Sequence, residues 1–399
     1  MWVKNKQFNL PGNIEQAVSL LEHFTIEQVN CVEQFHRTYG KFEETPLHSL
    51  DALAANLGVN QVLVKDESYR FGLNAFKVLG GIYAIGKYVA KVLGRNIEEL
   101  SFEELKLPEV KGKLGDLTFI STTDGNHGRG VAWAARELGF NARIYMPAGS
   151  AEERLQNIQN EGAYAEITNM NYDDTVRYTS QLAAQNGWVI VQDTMWEGYE
   201  EIPRWIMQGY TTLMKEVVDQ LEQSPTHVFL QAGVGSFAGA MVAFLQQYYK
   251  QDITFVLVEP HVANCFYESF KQGTEHSVNV SGAMHTIMAG LACGEPSPVA
   301  WDILKVYTKV SVSCAEEVAA TGMRVLGSPL GTDSRIIAGE SGAATAGCFY
   351  TIMTDSNYQD LKETLQLNTS SRVLLINTEG DTDVKNYREI MWHGKYPTI

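Results

Sequence analysis

The sequence predicts an α/β protein of two domains, with helices packed around largely parallel sheets. Short apolar runs rich in β-branched residues recur along the chain and alternate with longer stretches of helical periodicity, the pattern of strand-helix units whose strands lie parallel. The chain is also 399 residues long, beyond the roughly 250–300 at which a single hydrophobic core stops growing.

Taken in order, the predicted strands are QVLVK from Gln61, LTFIS from Leu117, ARIYM from Ala142, YAEIT from Tyr164, WVIVQ from Trp188, HVFLQ from His227, TFVLVE from Thr254 and RVLLIN from Arg372. Helical stretches follow most of them, among them GNHGRGVAWAARELG and EERLQNIQNEG. In sheets of this kind ligands gather at the carboxyl ends of the strands, so the loops leading into helices are where chemistry is expected. No internal repeat, low-complexity tract or Pro- or Ser-rich linker marks a domain boundary.

The formal charge of −16 argues against a nucleic-acid partner, which would need clustered Lys and Arg. The five cysteines form no C-x-x-C and leave an odd count, the usage of reduced thiols in a cytoplasmic protein, although Cys265 and Cys293 are candidates to pair. The nine histidines supply no His-Glu-x-x-His or other ligand cluster, so no metal is expected. The first residues contain no apolar leader. The uncharged stretch VFLQAGVGSFAGAMVAFL, Val228 to Leu245, is about long enough to span a bilayer, but its glycines, Gln231 and Ser236 fit a buried strand, turn and helix instead.

Four constellations could carry chemistry. Lys77, in RFGLNAFKVLGG, opens an apolar helix; if buried, its amine loses charge to desolvation and can attack a carbonyl, whereas a surface lysine there would reach for water. STTDGNHGRG, Ser121 to Gly130, follows a strand and offers hydroxyls, an amide and helix-start N–H groups to a carboxylate, a use compatible with capping by Asp124 and Asn126. QAGVGSFAGA, Gln231 to Ala240, is a glycine turn into a helix start, suited to phosphate; alone it fits a nicotinamide-nucleotide-binding oxidoreductase equally well. AGESGAATAG and LLINTEGDTDV bring small residues and Thr378 to a helix start and a strand end, where they could face a flat ring or simply form tight turns.

Taken together and in this order, the motifs resemble those of the pyridoxal-phosphate enzymes of the tryptophan-synthase β fold. KDESYRFGLNAFK, TTDGNHGRGVAWAA, VQDTMWEGYEEIP, MAGLACGEPSP and NTEGDTDVKNYRE resemble segments of the diaminopropionate ammonia-lyase family in particular. The resemblance implies two open, twisted, mostly parallel sheets with flanking helices: a large cofactor domain from residues 1–88 and 212–399, and a small substrate-side domain from 89–211. It implies pyridoxal 5'-phosphate as cofactor, a homodimer, a role in amino-acid catabolism, and conversion of 2,3-diaminopropionate, D or L, to pyruvate and two ammonia. The nearest alternative is a serine or threonine dehydratase with the same cofactor.

Residue by residue, the resemblance makes Lys77 the Schiff-base lysine and Gly233, Val234, Gly235, Ser236 and Gly239 the phosphate cup. It puts Asn126 near the phenolic oxygen, Thr378 at the ring nitrogen, and Thr122 and Thr123 at the substrate carboxylate; the roles of Glu340, Ser341 and Asp381 are open, with Glu340 the one most expected near the ring. Asp124 and Asp193 would recognise or deprotonate a substrate that carries a second ammonium group. Lys77 and Asp124 would take the Cα proton from opposite faces. A neutral hydroxyl at the ring nitrogen does not force its protonation, which favours prompt elimination over transamination.

Overall fold

The computed structural model describes residues 1–5 and 11–397. Eleven strands form two sheets: β1 (Trp2–Lys4), β2 (Leu47–Ser49), β3 (Gln61–Asp66), β4 (Thr118–Thr122), β5 (Asn141–Met146), β6 (Tyr164–Ile167), β7 (Val189–Ile190), β8 (His227–Gln231), β9 (Thr254–Pro260), β10 (Thr308–Cys314) and β11 (Arg372–Asn377). The larger sheet runs β1-β10-β9-β8-β11-β3-β2, the smaller β6-β5-β4-β7. Only β1 and β2, at the two edges of the larger sheet, pair antiparallel with their neighbours.

All eight predicted strands are present; β3, β4, β8, β9 and β11 are buried on both faces and so read as apolar runs, while β6 and β7, at the edges of the smaller sheet, are only partly buried. The prediction omits β1, β2 and β10. The first two are three-residue edge strands. β10, TKVSVSC, alternates valine with Ser311 and Ser313, whose buried hydroxyls find partners in Glu259 and His261 far away in the sequence. The run from Val228 to Leu245 is a strand, a turn and part of the helix Ser236–Tyr249, and no described helix is long and apolar enough to cross a membrane.

Close helix packing sets the position of Lys77. The helix Val78–Val92 touches the helix Glu201–Gln220 so tightly that a Cβ on Gly80 would sit 2.5 Å from the Tyr210 ring, and one on Gly209 would sit 2.4 Å from the Leu79 carbonyl. On its other side a Cβ on Gly130, in the helix Asn126–Leu138, would lie 2.8 Å from the Val78 Cα. The glycine pair after Lys77 is thus required by backbone approach rather than by flexibility.

Under this contact lies a fully buried ionic network. The Glu216 carboxylate accepts from Lys65 Nζ at 2.7 Å and from both terminal nitrogens of Arg70 at 2.8 Å. Arg70 also donates from Nε and Nη2 to Glu67, each at 2.8 Å. None of these side chains has any exposure.

Candidate active site

The carboxyl ends of β3, β4, β7, β8 and β11 converge on a partly open chamber between the two sheets. Its walls include Lys77, Asp124, Asp193, Gly233 to Ser236, and Thr378 with Glu379, from the segments that follow β3, β4, β7, β8 and β11 in turn. Backbone bonds fix the relation of two of these loops: Phe76 N–H donates to the Thr378 carbonyl, and Ala75 bridges Glu379. Asn74, at φ 60°, donates from its side chain to Asp381 and accepts from Gly380 N–H. The approach to Lys77 is therefore pinned in a left-handed turn by the strand-end loop that carries Thr378.

Lys77 Nζ donates to Asp193 Oδ2 at 2.6 Å, with 17% of the lysine side chain open to the chamber. Burial alone would lower the ammonium's pKa, as the sequence reading expects, but the Asp193 carboxylate outweighs it and the pKa is raised. Burial likewise works against Asp193, yet Lys77 and then His127 bring its pKa down to about 2. Asp193, expected at the substrate, thus lines the chamber with its carboxylate on Lys77.

Across the chamber, Asp124 accepts from Arg154 Nη1 at 3.1 Å. Burial raises the Asp124 pKa, and Arg154 followed by Lys77 offsets part of that rise. Arg154 comes from the helix Glu152–Asn160 and is buried 4.0 Å from Glu379. Glu379, itself buried, accepts from Asn126 Nδ2, Ser341 N–H and Thr382 Oγ1. The sequence reading assigns no role to Arg154 or Glu379; both belong to the chamber's charge balance.

Thr122 and Thr123 both line the chamber. Thr122 shares a 2.9 Å bond with Thr179. Thr123 Oγ1 accepts from the N–H groups of Gly125 and Gly128, which shapes the turn into the helix Asn126–Leu138 and leaves its own proton to donate. Gly235, at φ +89°, opens the helix Ser236–Tyr249, whose first N–H groups have no intrahelical acceptor.

Two of the residues expected at the cofactor are not in the wall of this chamber. Gly239 is not in the chamber wall; a Cβ there would meet the Ala300 Cα at 3.3 Å, so this glycine serves helix packing. Glu340 lines an adjoining outer chamber of about 460 Å³, where Asn386 donates to it, while its neighbour Ser341 lines the inner one. All five cysteines are free thiols, including Cys265 and Cys293. No cluster of metal-ligating side chains occurs among the described residues.

Burial, with Glu379 second, pushes the Glu340 carboxyl from 4.5 up to about 7. The folded protein thus holds this proton more tightly than the unfolded chain does. Its stabilising contribution is full below pH 4.5 and is lost as pH rises to about 7. In Glu340→Gln that loss is removed: melting temperatures at pH 5 and pH 8 should show wild type gaining on the variant at the lower pH. A constant difference would refute the assignment.

The chamber has the character of a site for a flat, phosphorylated, carbonyl-bearing group. A glycine-lined helix start faces a buried lysine, and Tyr210 Oη, Gln231 Oε1 and His127 Nδ1, all on chamber-lining residues, are buried with no partner. Fold and site together define a pyridoxal-phosphate-dependent enzyme, and residues 40–379 match the family described as pyridoxal-phosphate dependent enzyme. The chain is 53% identical over 378 residues to a diaminopropionate ammonia-lyase of Escherichia coli (strain K12), covering 94% of this chain and 93% of that protein. A crystal structure of the holo diaminopropionate ammonia lyase from Escherichia coli superposes with a TM-score of 0.90 at 50% identity, covering 99% of this chain and 97% of that one. A structure of the Escherichia coli enzyme in complex with D-serine gives 0.90 at 49%, covering 100% and 98%. The chain belongs to the diaminopropionate ammonia-lyase family.

Proposed function

We propose that this protein uses pyridoxal 5'-phosphate to convert 2,3-diaminopropionate, as either enantiomer, to pyruvate and two ammonia. The observation that carries the reading is one chamber holding a lysine and two separately supported carboxylates, Asp193 on Lys77 and Asp124 on Arg154. Lys77 would hold the cofactor covalently, the Gly233 to Ser236 loop its phosphate, Thr378 its ring nitrogen, and Asn126 would sit beside its ring oxygen. When bound, the cofactor supplies a sink for the charge left at Cα on deprotonation.

The protein's own residues do the rest. Thr123 donates its free proton to the substrate carboxylate, with helix-start N–H groups beside it. Lys77 Nζ, once its amine is neutral, would take the Cα proton from one face, and Asp193 fixes its position and stabilises the ammonium that results. Asp124 takes it from the other face, its basicity raised by burial and moderated by Arg154. The Cβ–N bond then breaks and the β-nitrogen departs as ammonia, after which water releases pyruvate and the second ammonia. A dehydratase acting on serine or threonine would need no second acidic system for an ammonium group.

The same reading takes residues 89–211 as the small domain, closing on the large one over substrate, and the protein as a cytoplasmic homodimer of amino-acid catabolism. Its test is a pyruvate assay on each enantiomer. Asp124→Asn should lower turnover of D-2,3-diaminopropionate about 100-fold or more while the L form keeps most of its rate. Equal losses on both would overturn the division of labour between Asp124 and Lys77.

A further inference from the structure

We propose that Arg154 is the positioning residue that aims the Asp124 carboxylate at the substrate's Cα and thereby sets how fast the D enantiomer turns over relative to the L. The inference rests on the two-base reading above.

Asp124 follows β4 in the turn that leads to the helix Asn126–Leu138, and Arg154 comes from the helix Glu152–Asn160. Asp124 lines both the inner and the outer chamber, whereas Arg154 lines the outer one, so the guanidinium acts on the inner space through Asp124. The buried stem of Arg154 lies across Gly125, where an added Cβ would stand 2.9 Å from Arg154 Cδ. Its head is held at both ends: Nη1 donates to Asp124 Oδ2 at 3.1 Å, and Nη2 lies 4.0 Å from Glu379 Oε2. Glu379 is anchored in turn by Asn126, Ser341 N–H and Thr382. A planar fork fixed at stem and head holds its partner oxygen in one place. On another side a Cβ at Gly290 would lie 3.6 Å from the same Asp124 Oδ2. With Oδ2 so held, Oδ1 is the oxygen left to meet Cα.

The contact also sets the charge of the base. Burial raises the Asp124 pKa, Arg154 and then Lys77 lower it, and Glu379 raises it. The other ionisable neighbours, His127, Tyr172, Tyr210 and Cys293, are neutral at pH 7, since burial lowers the first pKa and raises the other three. Arg154 is thus the largest influence favouring the carboxylate, and it keeps its charge at every working pH. A carboxylate base works above its pKa, so loss of Arg154 must move the acid limb of D turnover to higher pH.

The test compares cofactor-loaded wild type, Arg154→Met and Arg154→Lys. Pyruvate formation from each enantiomer is followed against pH, alongside the ¹³C titration of the Asp124 carboxyl, assigned by its absence in Asp124→Asn. In Arg154→Met the carboxyl titration, and the acid limb of kcat/KM for the D form relative to the L, should move up by about one to two pH units, the size of a lost hydrogen bond to a charged group. The D-to-L ratio of turnover at pH 7 should fall about ten-fold or more, one pH unit of lost carboxylate being ten-fold. Arg154→Lys returns the charge without the fork, so it should bring the titration back toward wild type while the D-to-L ratio stays low. If Arg154→Met fails to fold, Arg154→Lys decides, and a wild-type D-to-L ratio in it overturns the proposal. An Asp124 titration and a D-to-L ratio both unmoved in Arg154→Met overturn the role of Arg154 and leave the two-base reading standing. Acid limbs that move together for both enantiomers overturn the two-base reading and the proposal with it.

Discussion

Lys77→Ala is expected to abolish the visible absorbance that pyridoxal phosphate gives when a lysine holds it, and to cut pyruvate formation from L-2,3-diaminopropionate by about 100- to 10,000-fold, the span of a lost general base. Two effects combine in this variant. The amine that anchors the cofactor is gone, and Asp193, whose pKa is held near 2 chiefly against the cost of burial by that amine, is left as an uncompensated carboxylate beside the glycine loop. Lys77→Arg separates them, since it returns a positive charge to Asp193 but no amine that can bind a carbonyl. The arginine variant should bind cofactor more firmly than the alanine variant yet remain as inactive. Visible spectra and pyruvate assays on the three proteins decide the matter; a Lys77→Ala enzyme that stays coloured and active would remove Lys77 from the mechanism.

How much of this site was legible in the sequence depends on how local each residue's partners are. The lysine, the DGNHG turn and the glycine loop each lie within a few residues of the strand or helix end that positions them, so a short motif reveals them. Thr378 could be placed at a strand end because RVLLIN reads clearly as a strand. Arg154 looks like one more charge on the amphipathic helix Glu152–Asn160, and nothing near it in the chain shows that it turns inward to Asp124, thirty residues earlier. Gln231 reads as the last residue of a strand, and only the neighbouring strand end gives its amide a purpose. Glu340 and Ser341 are adjacent at a helix start, and the helix geometry, not the sequence, decides that serine lines the inner chamber and glutamate the outer.

The pKa of Lys77 could not be read from the chain either. A lysine in an apolar helix suggests desolvation as the governing influence, and desolvation does oppose its charge, but a carboxylate 116 residues away reverses the outcome. Such reversals are common where a buried ion finds an opposite partner, because in a poorly screened interior one close contact rivals the whole cost of burial.

Glu216→Ala should be the most destabilising of these substitutions, at about 3–5 kcal/mol, the cost of breaking a buried ion pair by removing one partner. Among the described residues Glu216 supplies the one carboxylate on Lys65, and Arg70 would be left with Glu67 as its one carboxylate partner, while none of these side chains can reach water. Glu216→Gln should cost less, because the amide oxygen still accepts one bond, but it too leaves a surplus positive charge. The double variant Glu216→Leu, Lys65→Met should recover part of the loss, since replacing a buried pair by apolar groups avoids stranding a charge. Urea unfolding of the cofactor-free proteins measures all three, and a loss below about 1 kcal/mol for Glu216→Ala would show the network to be dispensable, no stronger than a surface pair. The network also bears on function: Lys65 lies on β3, Glu216 on the helix Glu201–Gln220 and Arg70 on the turn between β3 and Lys77. Loosening it should therefore release the lysine's approach before the sheet itself unfolds, so Glu216→Gln should lose turnover at temperatures where its far-ultraviolet circular dichroism is still that of wild type.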